Sequence, residues 1–194
     1  MRSSRWSSAL VAGLMLLVVA GLWLPFGFIL PLHEPWLLHA QYQAGDIPTV
    51  TLTGIRSLHY MVPYAAYLLS PDNFLGYHAL QILGFWAKGF LLYLILRKLL
   101  PENRGLAALA GVLLIIFPAD NGIFIQQATL HHIGLSLMLL ASYLFLIFRE
   151  RRNGLLFALV LVCQWASISI YEAGLPLMLV VPLLVVWLER RLNR

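Results

Sequence analysis

The sequence predicts an all-α integral membrane protein with about six transmembrane helices, and its composition and charge spacing are the observations behind this. Hydrophobic residues make up 61% of the 194 residues and charged residues only 11%, whereas soluble domains are nearer half apolar and a quarter charged. Eleven of the 13 Lys and Arg residues lie before the first apolar run or after the second, fourth and sixth. Short basic loops stay in the cytoplasm during insertion, so both termini are predicted inside.

The predicted spans are helices, because a backbone exposed to lipid must satisfy its own hydrogen bonds. Within a single transmembrane domain, 1–194, they cover residues 9–30, 74–96, 105–125, 130–148, 154–171 and 173–188. The first is interpreted as a retained span and not a signal peptide, because its apolar stretch is too long and no convincing cleavage site follows. The six spans and the positions of the basic loops together predict a multi-pass protein of a bacterial or archaeal cytoplasmic membrane.

The outer connection, 31–73, is predicted to carry a helix on the membrane surface over 54–69. Arg56, His59, Tyr60 and Tyr67 recur there at helical spacing and share one face. Two interpretations stay open. The helix either anchors the loop as an amphipathic segment or presents Arg56 and His59 to an anionic head group.

The second span carries a polar stripe of its own. His78, Gln81 and Lys88 fall within about 80° of one another on a helix. Lys88 either snorkels to the cytoplasmic surface or belongs to this stripe, and His78, nearer the outer end, is predicted to line a cavity. Three glycines of the same span permit close contacts between helices: Gly76, Gly84 and Gly89.

Short later spans predict polar groups below the outer surface. The residues between Arg104 and Asp120 rise about 22 Å at 1.5 Å each, which is less than the hydrocarbon core of about 30 Å. Glu172, before the last span, is placed at a similar depth by the same arithmetic. An acid at that depth should face protein or water. Together with His131 and His132, these acids predict a water-filled outer cavity.

The sequence lacks the motifs of several other kinds of functional site. The net charge of +5 follows from the membrane topology, so nucleic acid is not a predicted partner. The single cysteine, Cys163, excludes an intrachain disulfide and a paired-thiol metal site. Nucleotide-binding glycine loops, G-x-S-x-G and HExxH are missing, and the adjacent His131 and His132 point about 100° apart on a helix. No cofactor is predicted, and no residue pattern supports a divalent metal.

Four segments carry a family resemblance: RSLHYMVPYAAYLL, PDNFLGYHALQILGFWAKGFLLYLILRKLL, AALAGVLLIIFPADNGIFIQQATLHHIGLSLMLLASYLFL and SISIYEAGLPLMLVVPLLVV. Their succession resembles the amino-terminal half of the GT-C superfamily of integral membrane glycosyltransferases, in particular the protein O-mannosyltransferases and the ArnT-like branch. The likeness rests on order and spacing, and no single motif is specific. Members of that family generally have more spans, so the resemblance implies that further spans or a partner membrane chain complete this one.

The resemblance implies a reaction on the outer face: a sugar passes from a polyprenyl-phosphate donor to an acceptor hydroxyl. It places the catalytic base in the first outer loop, at Glu34, with Asp46 as the alternative. The family usually shows an Asp where Glu34 stands, and a lysine where this chain has Tyr171. Residues expected to bind the donor phosphate or substrate are Arg56, His59, His78, Asp120, His131, His132 and Glu172.

Two rival functions stay open at this point. A chain of six spans could be a non-catalytic accessory or assembly subunit of a membrane complex, with its outer polar groups binding a partner. A transporter is the third hypothesis, but apart from Lys88 the inner halves of the spans are nearly all apolar. Membrane lipids are expected partners under all three.

Overall fold

A computed structural model describes residues 8–24, 34–48, 56–116 and 128–172, together with isolated positions beyond 172. Every regular element within those four ranges, apart from single-residue 3₁₀ turns, is an α-helix, so the all-α prediction is confirmed for this part of the chain. The helices in order are α1 (Ser8–Trp23), α2 (Glu34–Gln43), α3 (Met61–Leu69), α4 (Leu75–Leu99), α5 (Arg104–Ile116), α6 (Ala128–Arg151) and α7 (Gly154–Ile170).

Two of these helices, α4 and α6, are long and apolar enough to cross a membrane. Helices α1, α5 and α7 are apolar but shorter. Their outer faces nevertheless expose large apolar side chains, among them Leu17, Leu109, Leu155 and Val162. Such surfaces suit lipid better than water, and this weakly supports association with a membrane.

Local capping explains where the long helices begin and end. The N-cap residue of α4 is Phe74, and the Asn73 side chain just before it accepts a hydrogen bond from the Leu75 amide at 2.9 Å, as in an Asx turn. Arg152 adopts a left-handed backbone (φ 51°) that ends α6. Asn153 then caps α7 by accepting from the Leu155 amide at 2.8 Å. A tight turn at 152–153 therefore joins α6 to α7.

The described helices alternate in direction, which gathers the basic loops at one end of the bundle. Helices α4 and α6 run parallel, because His132 lies against Gly84 while Lys98 pairs with Glu150 at 2.7 Å. Helix α7 runs antiparallel to α6, since Phe157 near its start packs on Phe148 near the end of α6. The cations at the lower end, defined by the end of α4, are Arg97, Lys98, Arg104, Arg149, Arg151 and Arg152.

The observed boundaries differ from the predicted spans at several points. Helix α1 ends at Trp23, within the predicted span 9–30, and 25–33 lie outside the described residues. Helix α5 is described to Ile116, whereas 117–127 of the predicted region are not described. Beyond isolated positions, the sixth span (173–188) also lies outside the described residues. The six-span topology therefore stays a prediction.

The surface helix predicted over 54–69 begins later than expected, at Met61. Residues 56–60 form a turn, with the His59 amide donating to the Arg56 carbonyl at 3.1 Å. The reason is tertiary: the Leu58 amide donates to the carbonyl of Ser169, far along the chain, at 2.9 Å. An amide committed to another element is not available to a helical ladder.

Helix α2 was not predicted from the sequence. Its ten residues show almost no amphipathic periodicity, which is the signal that sequence reasoning relies on. One local cue was available, because Glu34 and Pro35 stand in its first turn. An acid and a proline at that position are typical of helix starts.

The core lies where α1, α4 and α5 meet, around Val19, Phe85, Tyr93 and Ile115. Small residues permit this contact. A Cβ atom added at Gly111 would lie 2.6 Å from the Gly89 carbonyl oxygen, and one at Gly89 would lie 2.8 Å from the Gly111 carbonyl oxygen. The two backbones therefore touch, and α4 and α5 cannot pack this closely with larger residues there.

Gly111→Ala is expected to lower the thermal unfolding midpoint of the chain in a fixed detergent. Its added methyl group meets a backbone carbonyl that cannot rotate away, and overpacking of this kind costs about 1–3 kcal/mol. Gly13→Ala is the matched control, because a Cβ on that α1 glycine meets nothing within 4 Å. Equal midpoints for the two variants would contradict the close α4–α5 packing.

Candidate functional site

Arg56 and Glu172 form a two-pronged ion pair that joins segments 116 residues apart. The Arg56 Nε donates to Glu172 Oε2 at 2.8 Å, and Nη2 donates to Oε1. Both side chains are partly open to solvent, with 53% and 36% of their surface exposed. Both residues were predicted site residues, and the structure places them in direct contact.

Backbone contacts hold the turn of residues 56–60 on the end of α7, independently of the ion pair. The Leu58 amide donates to the Ser169 carbonyl at 2.9 Å. His59 Nδ1 lies 3.1 Å from the Ile170 carbonyl oxygen. Since a carbonyl only accepts, the proton of that imidazole is on Nδ1 in this contact. His59 thus helps to hold the turn through Nδ1, and its role as a phosphate partner stays a prediction.

Tyr171 lies between the ion pair and α6. Its ring stacks on the His131 ring with 3.9 Å between centroids, and the Arg56 guanidinium lies 5.7 Å from its centroid. A guanidinium on the face of a tyrosine is attracted by the ring's quadrupole. His131, Tyr171, Arg56 and Glu172 therefore form one contiguous group, which we call the outer cluster.

The ion pair sets the charge state of the outer cluster. Hydrogen bonding from Arg56, assisted by a backbone hydrogen bond, lowers the pKa of Glu172 to about 2. The same hydrogen bond and the carboxylate charge raise the pKa of Arg56. Glu172 is therefore ionised at any physiological pH, and the Arg56 charge is balanced by it.

A cavity of about 550 Å³ with a mixed lining opens beside the outer cluster. We call it the polar cavity, because Asp46 and Arg56 both line it. Tyr42, Tyr60, Gln41 and Ser57 add polar groups to its wall, and the rest of the lining is apolar: Leu37, Leu38, Ile47 and Pro48. The Tyr42 hydroxyl donates to the Tyr60 carbonyl at 3.2 Å. Burial, and to a smaller extent the neighbouring phenols, raise the pKa of Tyr42 to about 12. The cavity thus combines a carboxylate, a guanidinium and a neutral phenol.

A second cavity, an apolar groove of about 470 Å³, lies on the other side of the same turn. It runs between α3, α4 and α6, and Leu58 and Met61 form its upper wall while Leu83, Ile133 and Leu137 line its length. Because Arg56 and Ser57 face the polar cavity and Leu58 faces the groove, the turn separates a polar space from an apolar one.

Lys88 does not snorkel to the cytoplasmic surface, so that interpretation is wrong. It is 2% exposed, and its Nζ lies 3.3 Å from His132 Nδ1 and 4.3 Å from the centroid of the Phe85 ring. The helix crossing at Gly84 brings His132 to this depth. His132, also 2% exposed, is therefore held among core side chains and away from the outer cluster, whereas His131 belongs to it.

The remaining predicted residues are only partly tested. His78 is half-buried near the start of α4, and Glu34 is the first residue of α2. Asp120 lies outside the described residues. Within the described ranges, no group of three or more His, Cys, Asp or Glu side chains is placed to hold a metal ion.

Tyr42 and Tyr171 are cluster and cavity residues that sequence reasoning missed as functional. Tyr171 adjoins a predicted site acid, and Tyr42 lies near the end of α2, four residues before Asp46, so proximity in sequence was the one signal available. Comparison with models of protein families, with characterised proteins and with solved structures finds no match.

The ion pair predicts a measurable shift of one carboxyl group. Arg56→Gln should return the pKa of Glu172 from about 2 towards the ordinary carboxyl value of about 4.3, as read by NMR of ¹³C-labelled glutamate. Because the folded pKa is the lower one, the pair's stabilisation is complete above about pH 5 and is lost as the pH falls towards 2. Lys98→Gln, which breaks the pair with Glu150 at the other end, is the control. An unchanged Glu172 pKa in Arg56→Gln would contradict the assignment.

Proposed function

We propose that this chain is a multi-span membrane protein that forms all or part of a glycosyltransferase of the GT-C kind. It transfers a sugar from a polyprenyl-phosphate donor to an acceptor hydroxyl at the face opposite the basic loops. Asp46 is the preferred general base, with Glu34 as the alternative, and Arg56 binds the donor phosphate. Further spans or a partner chain complete the enzyme.

The placement of charge supports the membrane part of the proposal. The described cations of the basic loops gather at the lower end of α4, α5 and α6, and the outer cluster lies at the upper end. Basic loops are retained in the cytoplasm, so the outer cluster faces away from it. Two helices of sufficient length and apolarity join these ends.

The observation that carries the catalytic part is the shared cavity of Asp46 and Arg56. Sugar transfer to a hydroxyl needs a carboxylate to accept the acceptor's proton and a cation to stabilise the departing phosphate. The polar cavity provides one of each. This favours Asp46 over Glu34, which the sequence alone had ranked first.

The apolar groove supports the choice of a lipid-borne donor. Its walls are almost entirely aliphatic, and it begins one residue from the polar cavity, at Leu58. A polyprenyl phosphate has this arrangement of a charged head on a hydrocarbon chain. The donor's chain is already in hydrocarbon when it lies in the bilayer, so the groove would act by orienting the chain and raising the effective concentration of the phosphate beside Arg56.

The accessory-subunit hypothesis is favoured by one observation, namely that the Arg56 guanidinium is already paired with Glu172. A purely structural tie would need no substrate. The two hypotheses differ in one outcome, because an accessory subunit has no step that depends on the Asp46 carboxylate.

Topology is tested by cysteine labelling in a Cys163→Ser background. A cysteine at the exposed Asn103 should be protected from a membrane-impermeant maleimide in intact cells, and one at the exposed Asp72 should react. Both should react once the membrane is permeabilised. A label at residue 103 obtained from outside would overturn the orientation.

Asp46→Asn should reduce sugar transfer by about 10²–10⁴-fold, the usual contribution of a general base. The substitution keeps the size of the side chain and removes its charge. Asp72→Asn is the control, because Asp72 lies in the exposed turn before α4. Transfer from a radiolabelled polyprenyl-phosphate sugar by membranes containing the full chain is the measurement.

Glu34→Gln is measured alongside it. Full activity of Asp46→Asn with loss in Glu34→Gln would move the base to Glu34. Full activity in both variants would remove the catalytic role of this loop and leave the accessory subunit.

A further inference from the structure

The guanidinium that the proposed function needs for a phosphate is occupied by a carboxylate of the same chain. Arg56 presents its Nε and Nη2 edge to both oxygens of Glu172. A phosphate group offers the same pair of oxygens at a similar spacing, and arginine binds carboxylate and phosphate with this one geometry. Glu172 therefore occupies the position that a ligand phosphate would take.

We infer that Glu172 is a displaceable internal anion, which closes the Arg56 site when it is empty and is replaced by the phosphate of a lipid donor. This inference rests on the proposed function and deepens it, because it adds a regulatory contact to the same site. The shared chemistry is a phosphate with two free oxygens, carried by a lipid or free in solution.

The structure permits this exchange without unfolding of the site. The turn of residues 56–60 is held on α7 by the Leu58 amide and by His59 Nδ1, and neither contact involves the Glu172 side chain. Arg56 also keeps its contact with the Tyr171 ring. Rotation of the Glu172 side chain alone therefore frees the guanidinium edge.

Solvent exposure makes the internal pair a weaker competitor than the low pKa of Glu172 alone suggests. Both partners are more than a third exposed, so water and salt screen their attraction and the pair itself contributes little free energy. A phosphate whose hydrocarbon chain occupies the adjacent groove is presented to Arg56 at a high effective concentration, as the intramolecular Glu172 is. A bare phosphate lacks that advantage and should compete poorly.

Competition, and not acidification, must open the pair. The pKa of Glu172 lies at about 2, so its carboxylate is not neutralised at any pH that a cell membrane experiences. The other charged or titratable groups beside this site among the described residues are Asp46 in the polar cavity, the imidazoles of His59 and His131, and the phenols of Tyr60 and Tyr171.

The test measures binding of farnesyl phosphate and of inorganic phosphate to the full chain in phosphatidylcholine nanodiscs. Glu172→Gln should tighten farnesyl phosphate binding by about 2- to 5-fold, the factor expected for loss of an exposed competing ion pair. Adding Arg56→Gln to the Glu172→Gln variant should abolish this gain in affinity. Glu150→Gln, which removes the comparable pair with Lys98 at the other end, should leave binding unchanged.

A second measurement separates displacement from a merely structural role. Saturating farnesyl phosphate should raise the pKa of Glu172, read by ¹³C NMR, because its partner has been taken away. Unchanged or weaker binding in Glu172→Gln, an unmoved Glu172 pKa at saturation, or no binding to any variant would each overturn the inference. If inorganic phosphate binds as tightly as farnesyl phosphate, displacement of Glu172 is retained, but the ligand is a free phosphate and not a lipid.

Failure of the proposed function gives a different pattern. Displacement of Glu172 with full transfer activity in both Asp46→Asn and Glu34→Gln would leave the inference standing and remove the catalytic assignment. Loss of sugar transfer in Asp46→Asn, with Glu172 not displaced by farnesyl phosphate, would leave the catalytic assignment standing and overturn the inference.

Discussion

The rest of the structure depends on the close approach of α4 to its neighbours. Gly89 and Gly111 bring the backbones of α4 and α5 into contact, and Gly84 lets His132 of α6 lie against α4. This crossing buries Lys88 beside His132 and fixes the height of α6 relative to α4. Because α7 packs on α6, it also sets where Tyr171 and Glu172 emerge, and therefore where Arg56 finds its partner.

The sequence predicted the helices whose ends are marked by charge and turn chemistry. The predicted starts and ends of α4, α6 and α7 lie within a few residues of those observed, because Asn73, Arg97 and Asn153 act through local capping and solvation. The surface helix was misplaced because the Leu58 amide bonds to Ser169. A contact across the chain of this kind leaves no periodic signal.

The sequence predicted which residues belong to the candidate site but not which of them contact one another. Arg56 and Glu172 were both expected to bind substrate, yet nothing in their spacing indicates that they bind each other across 116 positions. The sequence alone leaves two environments open for Lys88, the cytoplasmic surface and a buried polar stripe. Helical spacing shows which residues share a face but not what that face contacts. His131 and His132 point about 100° apart on a helix, so the sequence could predict that they face different surroundings. It could not predict that His131 stacks on Tyr171 and that His132 lies beside Lys88, because tertiary packing decides both contacts.

In the proposed function, one end of the bundle is a site for a lipid phosphate, with the polar cavity for the head group and the apolar groove for the chain. The most direct test is a lipidic-cubic-phase crystal structure of the full chain with farnesyl phosphate. The predicted result is a phosphate within hydrogen-bond distance of Arg56, the prenyl chain between α3, α4 and α6, and the Glu172 carboxylate turned away. A phosphate bound elsewhere, with the Arg56–Glu172 pair intact and the groove empty, would contradict it.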